Sequence, residues 1–223
     1  MRVAPVGDMG LRIEFGPGDG TLHVAQAQAL AEALAGDPPP GMVEAVPAFG
    51  TVTVFYDRGR IADFVAFRDG LTARAYALTP QPGGGGRLLV VPVCYAPDCA
   101  PDLDRVAARA GLSVAEVVAR HSGADYCVTA VGFTPGFPFL SGLPEALHTP
   151  RLATPRAVVP AGSVGIGGRR TGIYPLASPG GWNLIGRTPL RLFNEQASPP
   201  AVLGVGDRVR FRVITREELA AWK

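Results

Sequence analysis

The stretch GFTPGFPFLSGLP, from Gly132 to Pro144, sets glycines and prolines between aromatic and aliphatic residues. Proline fixes φ and glycine lets the backbone approach closely, so such a stretch turns sharply without forming a helix. Around it, between Asp125 and Ile214, short strand-like runs alternate with similar turns, and no convincing long helix interrupts them. These runs are YCVTAV, WNLIG, LRLF and RVRFRVI. The pattern is typical of a small β-barrel or sandwich.

The N-terminal part of the chain has a mixed pattern. A strand ends in LRIEF, a helix follows from about Thr21 to Gly36, the runs MVEAV and TVTVFY indicate two strands, and a second helix spans Ile61 to Leu78. LLVVPV, Leu88 to Val93, comes next and is either the last strand of this part or the connection to the rest of the chain. The order β-α-β-β-α-β predicts a ferredoxin-like α+β domain.

The segment TPQPGGGGR, Thr79 to Arg87, separates this domain from the rest. Its prolines and consecutive glycines support no regular element and predict a linker. We therefore predict an α+β domain over 1–86 and a mainly-β barrel domain over 87–223. A short C-terminal helix is predicted after Thr215, which can form a capping box with Glu218.

Two helices are predicted between Pro101 and His121. The first ends at Gly111, and the second opens at Ser113, which has Glu116 at the spacing of a capping box. His121 falls at the C-terminal end of the second helix. A histidinium there is favoured by the helix dipole, so His121 is either a stabilising cation or a polar residue at the mouth of a site.

Composition excludes several classes of protein. The net charge of +2 over 223 residues is too weak to indicate a nucleic-acid partner. No run has the length and apolarity of a signal peptide or a membrane helix, which predicts a cytoplasmic protein without a membrane partner. Cysteines and histidines show neither CxxC nor HExxH spacing, so no disulfide framework and no metal site is expected. They are Cys94, Cys99, Cys127, His23, His121 and His148.

Arginines are concentrated in the β-rich part. Between Val128 and Asn194, Glu145 is the only acidic residue. The arginines of that segment are Arg151, Arg156, Arg169, Arg170, Arg187 and Arg191. A guanidinium binds carboxylate or phosphate in a bidentate fork, so the segment is either an anion site or a generic basic surface.

Two near-matches to catalytic motifs fail on specific residues. AGSVG, Ala161 to Gly165, has alanine at the first glycine position of a nucleophile elbow and lacks the strand-to-helix context. GIGGRRTG, Gly165 to Gly172, fits neither a dinucleotide fingerprint nor a P-loop. Serine hydrolysis and these two kinds of nucleotide site are therefore not expected.

What remains is a set of polar and aromatic side chains between glycine and proline turns. The turns can hold these side chains on a preorganised surface, or they can merely turn corners in a barrel whose core contains Tyr174 and Trp182. The side chains are Ser163, Thr171, Tyr174, Ser178, Trp182 and Arg187.

GFTPGFPFLSGLP and the stretch TPRLATPRAVVPAGSVGIGGRRTGIYPLASPGGWNLIGRTPLRLF, which ends at Phe193, resemble a known family. That family contains the B subunit of 5-oxoprolinase, the Kip inhibitor of a sporulation kinase, and the first-subunit domain of allophanate hydrolase. The resemblance implies a cyclophilin-like β-barrel behind a small α+β domain. It also implies two partners, a second cyclophilin-like subunit, of the type of the C subunit of 5-oxoprolinase, and a LamB/YcsF-type subunit.

The reaction implied by the resemblance is ATP-dependent opening of 5-oxoproline (pyroglutamate) to glutamate by a complex, with Mg²⁺ accompanying ATP and this chain inactive alone. Catalytic roles are expected for Ser163, Arg187 and His121. Substrate contacts are expected from Arg156, Phe137, Tyr174, Trp182 and Thr171. In this hypothesis Arg156 or Arg187 binds an anion, Ser163 and neighbouring backbone amides bind an oxyanion, and Tyr174 and Trp182 form walls.

Two alternatives stay open at this level. The chain could be a Kip-type inhibitor that binds a sensor histidine kinase, because one scaffold serves both functions. It could also be a carboxyl-transfer partner in an ATP-dependent urea or amide system. GFTPGFPFLSGLP is expected at the barrel mouth, where it shapes either a small polar pocket or a subunit interface.

Overall fold

A computed structural model of the chain describes residues 1–17, 20–78 and 86–222. The chain divides into two compact units, Met1–Gly86 and Arg87–Lys223. Most of the predicted linker, residues 79–85, lies outside the described residues.

The first unit is a four-stranded antiparallel sheet covered by two helices. Its elements in chain order are β1 (Arg2–Pro5), β2 (Gly10–Glu14), α1 (Thr21–Gly36), β3 (Met42–Ala48), β4 (Thr51–Tyr56), a 3-10 turn (Arg58–Arg60) and α2 (Phe64–Ala77). Alternate residues of β4, including Val52 and Val54, are fully buried against Leu30 of α1 and Leu71 of α2. This alternation, with period two, is what the run TVTVFY predicts.

The ferredoxin-like order predicted for this unit is not confirmed. The observed order is β-β-α-β-β-α, and the strands lie in the sheet as β1-β2-β4-β3. The edge beside β2 is filled by β1, a strand that the sequence analysis missed, through a hairpin. Leu88–Cys94, considered there as a last strand, belongs to the second unit instead. Pairing at a sheet edge depends on the whole sheet, and local pattern does not specify it.

The second unit contains a closed seven-stranded barrel and several short helices, which confirms the barrel prediction. Its cyclophilin-like classification stays a prediction. The elements are β5 (Leu88–Cys94), α3 (Leu103–Ala110), α4 (Val114–Ser122), β6 (Tyr126–Val131), β7 (Pro138–Ser141), a 3-10 turn (Glu145–Leu147), β8 (Arg156–Val159), β9 (Ser163–Gly167), β10 (Arg170–Ile173), β11 (Ser178–Gly180), β12 (Asn183–Arg187), β13 (Arg208–Ile214) and α5 (Arg216–Ala221).

The strands follow one another around the barrel as β10-β7-β6-β13-β5-β12-β9. β13 pairs with β5 in parallel, from Arg208 opposite Leu88 to Ile214 opposite Cys94. The other barrel pairings are antiparallel, including β9 with β10, which closes the ring. β8 and β11 form a separate two-stranded sheet.

Local signals placed helix ends of α3, α4 and α5 correctly, whereas α2 begins at Phe64, after its N-cap Asp63, and not at Ile61. Ser113 and Glu116 form the predicted capping box at the start of α4, and Thr215 and Glu218 form the other at α5. Gly111 ends α3 in the left-handed conformation, with φ of 65°. The strand prediction for LRLF is wrong: those residues are irregular apart from an isolated bridge at Phe193.

Candidate functional site

A cavity of about 330 Å³ on the second unit, called here the aromatic pocket, is a candidate site. Its volume is within the range of small-molecule sites. Arg151 is the one charged residue that lines it, and the other lining residues are mostly aromatic or small and apolar. The lining consists of Phe133, Phe137, Phe139, Arg151, Leu152, Pro155, Tyr174, Pro179, Gly180, Gly181 and Trp182. The stretch from Gly132 to Pro144 therefore forms a pocket wall, but the pocket is far less polar than expected.

Phe137 is the centre of the aromatic wall. Its ring centroid lies 5.1 Å from that of Tyr174 and 5.4 Å from that of Trp182, with interplanar angles of 83° and 88°. Phe139 packs at 4.9 Å from the same ring. Edge-to-face contacts of this kind align the positive ring edge with a negative ring face, so the rings hold one another in fixed orientations.

Glycines make room for these rings. A β-carbon added at Gly167 would lie 2.5 Å from the indole ring of Trp182, and one at Gly180 would overlap the Tyr174 hydroxyl. No real β-carbon tolerates such a separation. Gly167 of GIGGRRTG and Gly180 of SPGGW are therefore required by the packing of the pocket wall.

Phe133 stands at the rim of the pocket. It is 65% exposed, although its ring is edge-on to Phe137 at a centroid distance of 5.6 Å. Its φ is 67°, in the left-handed region that non-glycine residues rarely adopt. Hydrogen bonds within the turn, from Gly132 N to Phe137 O and from Phe137 N to Thr134 O, hold this conformation. Strain of this kind is concentrated at functional sites.

Arg151 supplies positive charge at the other side of the rim. Its guanidinium lies 5.9 Å from the Trp182 ring centroid, and its backbone is anchored on both sides. The Asn183 side-chain amide donates to the carbonyl of Pro150 at 2.9 Å, and Leu152 N donates to Gly181 O at 2.7 Å. An exposed arginine with an anchored backbone is suited to binding an anion.

Tyr174 keeps its proton in this environment. Burial raises the pKa of its phenol, while a backbone hydrogen bond from Trp182 and the charges of Arg151 and Arg156 oppose the shift. At neutral pH the pocket therefore contains an uncharged hydroxyl that can donate one hydrogen bond.

Arg156, a predicted substrate contact, is occupied elsewhere. Its Nη2 pairs with Asp102 Oδ1 at 2.7 Å, while Asp102 Oδ2 accepts a hydrogen bond from Leu184 N, also at 2.7 Å. Its Nη1 lies 3.4 Å from Trp182 O. Asp102, the residue before α3, thus ties both β8 and β12 to the start of that helix, and Arg156 contacts the backbone of Trp182 without lining the pocket.

His121 and Thr171 lie inside the barrel, away from the pocket lining. Thr171 Oγ1 donates to Gly165 O at 3.0 Å, so its contact with His121 Nε2, also at 3.0 Å, must be donated by the histidine. His121 Nδ1 then accepts from the Tyr95 hydroxyl at 2.8 Å. Burial lowers the pKa of His121 to about 3, so the interpretation of His121 as a helix-stabilising cation is wrong.

Ser163 and Arg187 lie together at a different place. They are opposite each other on β9 and β12, and Arg187 lines a second cavity beyond the aromatic pocket. The predicted site residues are thus divided among three places. Phe137, Tyr174 and Trp182 are together in the pocket with Arg156 behind them, His121 and Thr171 are inside the barrel, and Ser163 and Arg187 are near the second cavity.

Neither Phe133 nor Arg151 is among the site residues that the sequence predicts. Arg151 had a signal, because the tripeptide Thr-Pro-Arg occurs twice, ending at Arg151 and at Arg156, and only the second was chosen. No sequence signal points to Phe133, since its exposure and left-handed backbone are visible only in the structure.

Within 1–17, 20–78 and 86–222, no three histidine, cysteine or acidic side chains are grouped as a metal site requires. The three cysteines are free thiols. Among the helices of these ranges, none has the length and apolarity to cross a membrane.

Fold and site define a mixed α/β protein whose barrel carries an aromatic pocket with an arginine at its rim. The chain belongs to the family of the carboxyltransferase domain, subdomains C and D, whose family model matches residues 1–203.

Relatives confirm the family that the sequence resembles. The chain is 38% identical over 236 residues to the B subunit of 5-oxoprolinase from Bacillus subtilis (strain 168), covering 100% of this chain and 96% of the relative. The protein of the same name from Escherichia coli O157:H7 is 47% identical over 174 residues, covering 77% of this chain and 78% of the relative.

Solved structures share the fold. TTHA0988 is 42% identical with a TM-score of 0.80 over 92% of this chain, which spans 39% of that longer chain. PH0987 from Pyrococcus horikoshii is 38% identical with a TM-score of 0.59, covering 98% of this chain and all of that one. Urea amidolyase of K. lactis is 22% identical with a TM-score of 0.78, and the match covers 98% of this chain and 15% of the urea amidolyase chain. At that identity, the likeness is one of fold alone.

Proposed function

We propose that the chain is a subunit of a cytoplasmic, ATP-dependent 5-oxoprolinase that opens 5-oxoproline to glutamate. It acts with a second cyclophilin-like subunit and a LamB/YcsF-type subunit and is inactive alone. Relatives named as the B subunit of 5-oxoprolinase, at 38% and 47% identity, support this proposal.

The observation that carries the proposal is the pairing of an aromatic wall with one rim arginine. 5-Oxoproline is a compact lactam ring with one carboxylate. Its ring can pack against the wall that Phe137, Tyr174 and Trp182 form by meeting edge to face. Its carboxylate would be held by the fork of Arg151. The protonated hydroxyl of Tyr174 is the group that can donate to the lactam oxygen.

ATP is included in the proposal because a five-membered lactam is an unstrained amide and a poor electrophile. ATP, with Mg²⁺, would supply a phosphoryl group to the amide oxygen, which would make the carbonyl carbon electrophilic enough for water to add and for the ring C–N bond to break. This chain's contribution is to bind and orient the lactam and to exclude water with its aromatic wall.

Reconstitution tests the proposal. ATP-dependent glutamate release from 5-oxoproline is measured with the two partner subunits, with and without this chain. We expect release only when the chain is present. For Arg151→Gln we expect KM for 5-oxoproline to rise roughly 10- to 100-fold with kcat little changed, because one charged hydrogen bond contributes about 1.5–3 kcal/mol.

The matched control is Arg105→Gln, an exposed arginine on α3 that is absent from the pocket lining. It should leave both kinetic constants unchanged. No release from an assembled complex containing the wild-type chain would contradict the proposal. Unchanged kinetics of the folded Arg151 variant would remove Arg151 from the site.

A second candidate is carboxyl transfer, which the name of the matched family favours. Its test uses the same complex with ATP, labelled bicarbonate and an amide acceptor such as urea. Label in a carboxylated product, in the absence of glutamate release, would favour this function. The Kip-type alternative predicts instead that the chain binds an isolated dimerisation domain of a sensor histidine kinase.

A further inference from the structure

A second cavity, of about 380 Å³, lies beside the end of β12. We call it the arginine pocket and define it by Gly162, Arg187, Thr188, Arg191 and Leu219. None of its lining residues belongs to the aromatic pocket, and none is acidic. It contains two exposed arginines of the positively charged segment, so its chemistry differs from that of the aromatic pocket.

The two guanidinium groups of this pocket form no ion pair within the described ranges. Arg191 uses Nε to donate to Phe193 O at 3.1 Å, which leaves its two terminal amino groups for other acceptors. Of the acids near α5, Asp98 pairs with Arg216 at 3.0 Å and Glu218 with Arg212 at 3.9 Å, while Glu217, in the first turn of α5, pairs with neither Arg187 nor Arg191 within those ranges. Arg187 and Arg191 therefore present uncompensated positive charge to the cavity.

The floor of the pocket is fixed by backbone hydrogen bonds. Gly162, with φ of 80°, donates from N to Tyr174 O at 2.7 Å and accepts from Thr188 N at 2.8 Å. A β-carbon at Gly162 would overlap Thr188 O and would lie 3.7 Å from Cγ of Arg187, so the arginine stem runs beside this turn. The two arginines are thus attached to a backbone that these hydrogen bonds hold in place.

Thr188 adds a polar hydroxyl. Its side chain is 3% exposed and accepts a hydrogen bond from Leu190 N at 3.2 Å. Among the described residues nothing accepts the hydrogen of this hydroxyl. A ligand oxygen in the pocket could do so, beside two guanidinium forks.

We propose that the arginine pocket binds a phosphoryl group, either as a free phosphate ion or as the terminal phosphate of a nucleotide. Two adjacent guanidinium groups and a hydroxyl donor match an anion that carries more than one negative charge and several acceptor oxygens. A monocarboxylate can form a bidentate pair with only one of the two guanidinium groups. The inference rests on the charge and geometry of this pocket and does not require the oxoprolinase function.

Calorimetric titration of the full-length chain with pyrophosphate at low ionic strength tests the proposal. We expect Arg187→Gln and Arg191→Gln each to weaken pyrophosphate binding at least tenfold, since each removes a charge-assisted contact. Arg105→Gln, the same change of charge on α3, should bind like the wild type. The substituted arginines are exposed, and the thermal unfolding of each variant is checked by circular dichroism.

Amide NMR shifts locate the ligand, and a set of ligands identifies its source. Pyrophosphate should shift the amides of Gly162 and Thr188 in the wild type and not in the Arg187 variant. Tighter binding of ATP than of inorganic phosphate points to a nucleotide, and equal binding points to the free ion. The proposal is overturned if pyrophosphate does not bind, if the arginine variants bind it unchanged, or if glutamate and 5-oxoproline bind there as tightly. These measurements use the isolated chain, so they are independent of turnover by the complex.

Discussion

At the scale of single residues, Gly167 is a position where a methyl group has no room. Its β-carbon would lie 2.5 Å from the Trp182 indole, which is held in turn by Phe137 and Phe139. We expect Gly167→Ala to lower the free energy of unfolding by roughly 1–3 kcal/mol, as overpacking does. Denaturant unfolding followed by tryptophan fluorescence measures it.

Gly132→Ala is the matched control, because a β-carbon at Gly132 meets nothing within 4 Å. We expect a change within about 0.5 kcal/mol, as for surface substitutions generally. Equal effects of the two substitutions would mean that close packing against Trp182 does not explain the glycine.

His121 makes the stability of the barrel depend on pH. Burial lowers its pKa from the ordinary 6.5 to about 3, so between these values the unfolded chain binds a proton that the folded chain does not. The free energy of unfolding should therefore fall as pH falls, by roughly 2 kcal/mol from pH 6.5 to pH 5, and stay level above pH 7.

Ring-proton NMR of the folded chain checks the prediction directly. The His121 signals should not titrate between pH 5 and pH 8. Urea unfolding at pH 7 and pH 5 gives the loss of stability, and His121→Gln should reduce that loss by the contribution of one histidine. A His121 ring that titrates near pH 6.5 contradicts the burial argument.

The candidate site could be predicted from the sequence only in part. Glycine, proline and aromatic residues occur together in its motifs, and that composition selected Phe137, Tyr174 and Trp182 correctly as neighbours. Composition does not show which way a side chain points, so the prediction grouped them with Ser163 and Arg187. Arg187 lines another cavity, and Ser163 lies opposite it on the neighbouring strand. Which side of a strand an arginine occupies depends on register and on bulges such as the one between Leu184 and Gly186.

At the scale of elements, β13 carries its stabilising residues on the barrel interior. Phe211 is 4% exposed, stacks on His121 with centroids 4.6 Å apart, and meets Tyr126 at 5.1 Å. We expect Phe211→Ala to cost about 3–5 kcal/mol of unfolding free energy, because it removes a buried ring and leaves a cavity.

The neighbouring residue Arg212 is a matched control. It is exposed and reaches Glu218 only at 3.9 Å. Because exposed ion pairs contribute about 0–1 kcal/mol, Arg212→Ala should have a small effect. Denaturant unfolding of the two variants is compared, and a large loss in Arg212→Ala would show that the outer face of β13 also carries stability.

Elements were predictable where a few neighbouring residues decide them. Both capping boxes and the left-handed end of α3 at Gly111 follow from local hydrogen bonding. The sheet order of the first unit could not be predicted in this way, because β1 pairs with the edge of the sheet and no sequence periodicity encodes that pairing. LRLF has strand-like composition but no neighbouring strand to pair with, apart from one bridge at Phe193.

At the scale of the whole molecule, the hydrophobic clusters of the described residues are separate in the two units, one in the first and three in the second. Leu30, on α1, is fully buried in the cluster of the first unit, whereas Leu22 on the same helix is 45% exposed. We expect Leu30→Ala to destabilise the first unit by about 2–5 kcal/mol and Leu22→Ala by much less. Hydrogen exchange at the amides of β2 and β4 measures the effect within that unit. Similar losses of protection in the two variants would contradict this account of the core.

The parallel pairing of β5 with β13 also determines when the barrel can form during synthesis. Arg87 and Asp207, which are hydrogen bonded at the start of this pair, are 120 residues apart. At about 5–20 residues per second, the ribosome needs roughly 6–24 s to cover that distance. Throughout that interval one edge of β5 has no native partner, and an open strand edge pairs readily with other nascent chains. We expect newly made chains to need chaperones until the last barrel strand has left the ribosome.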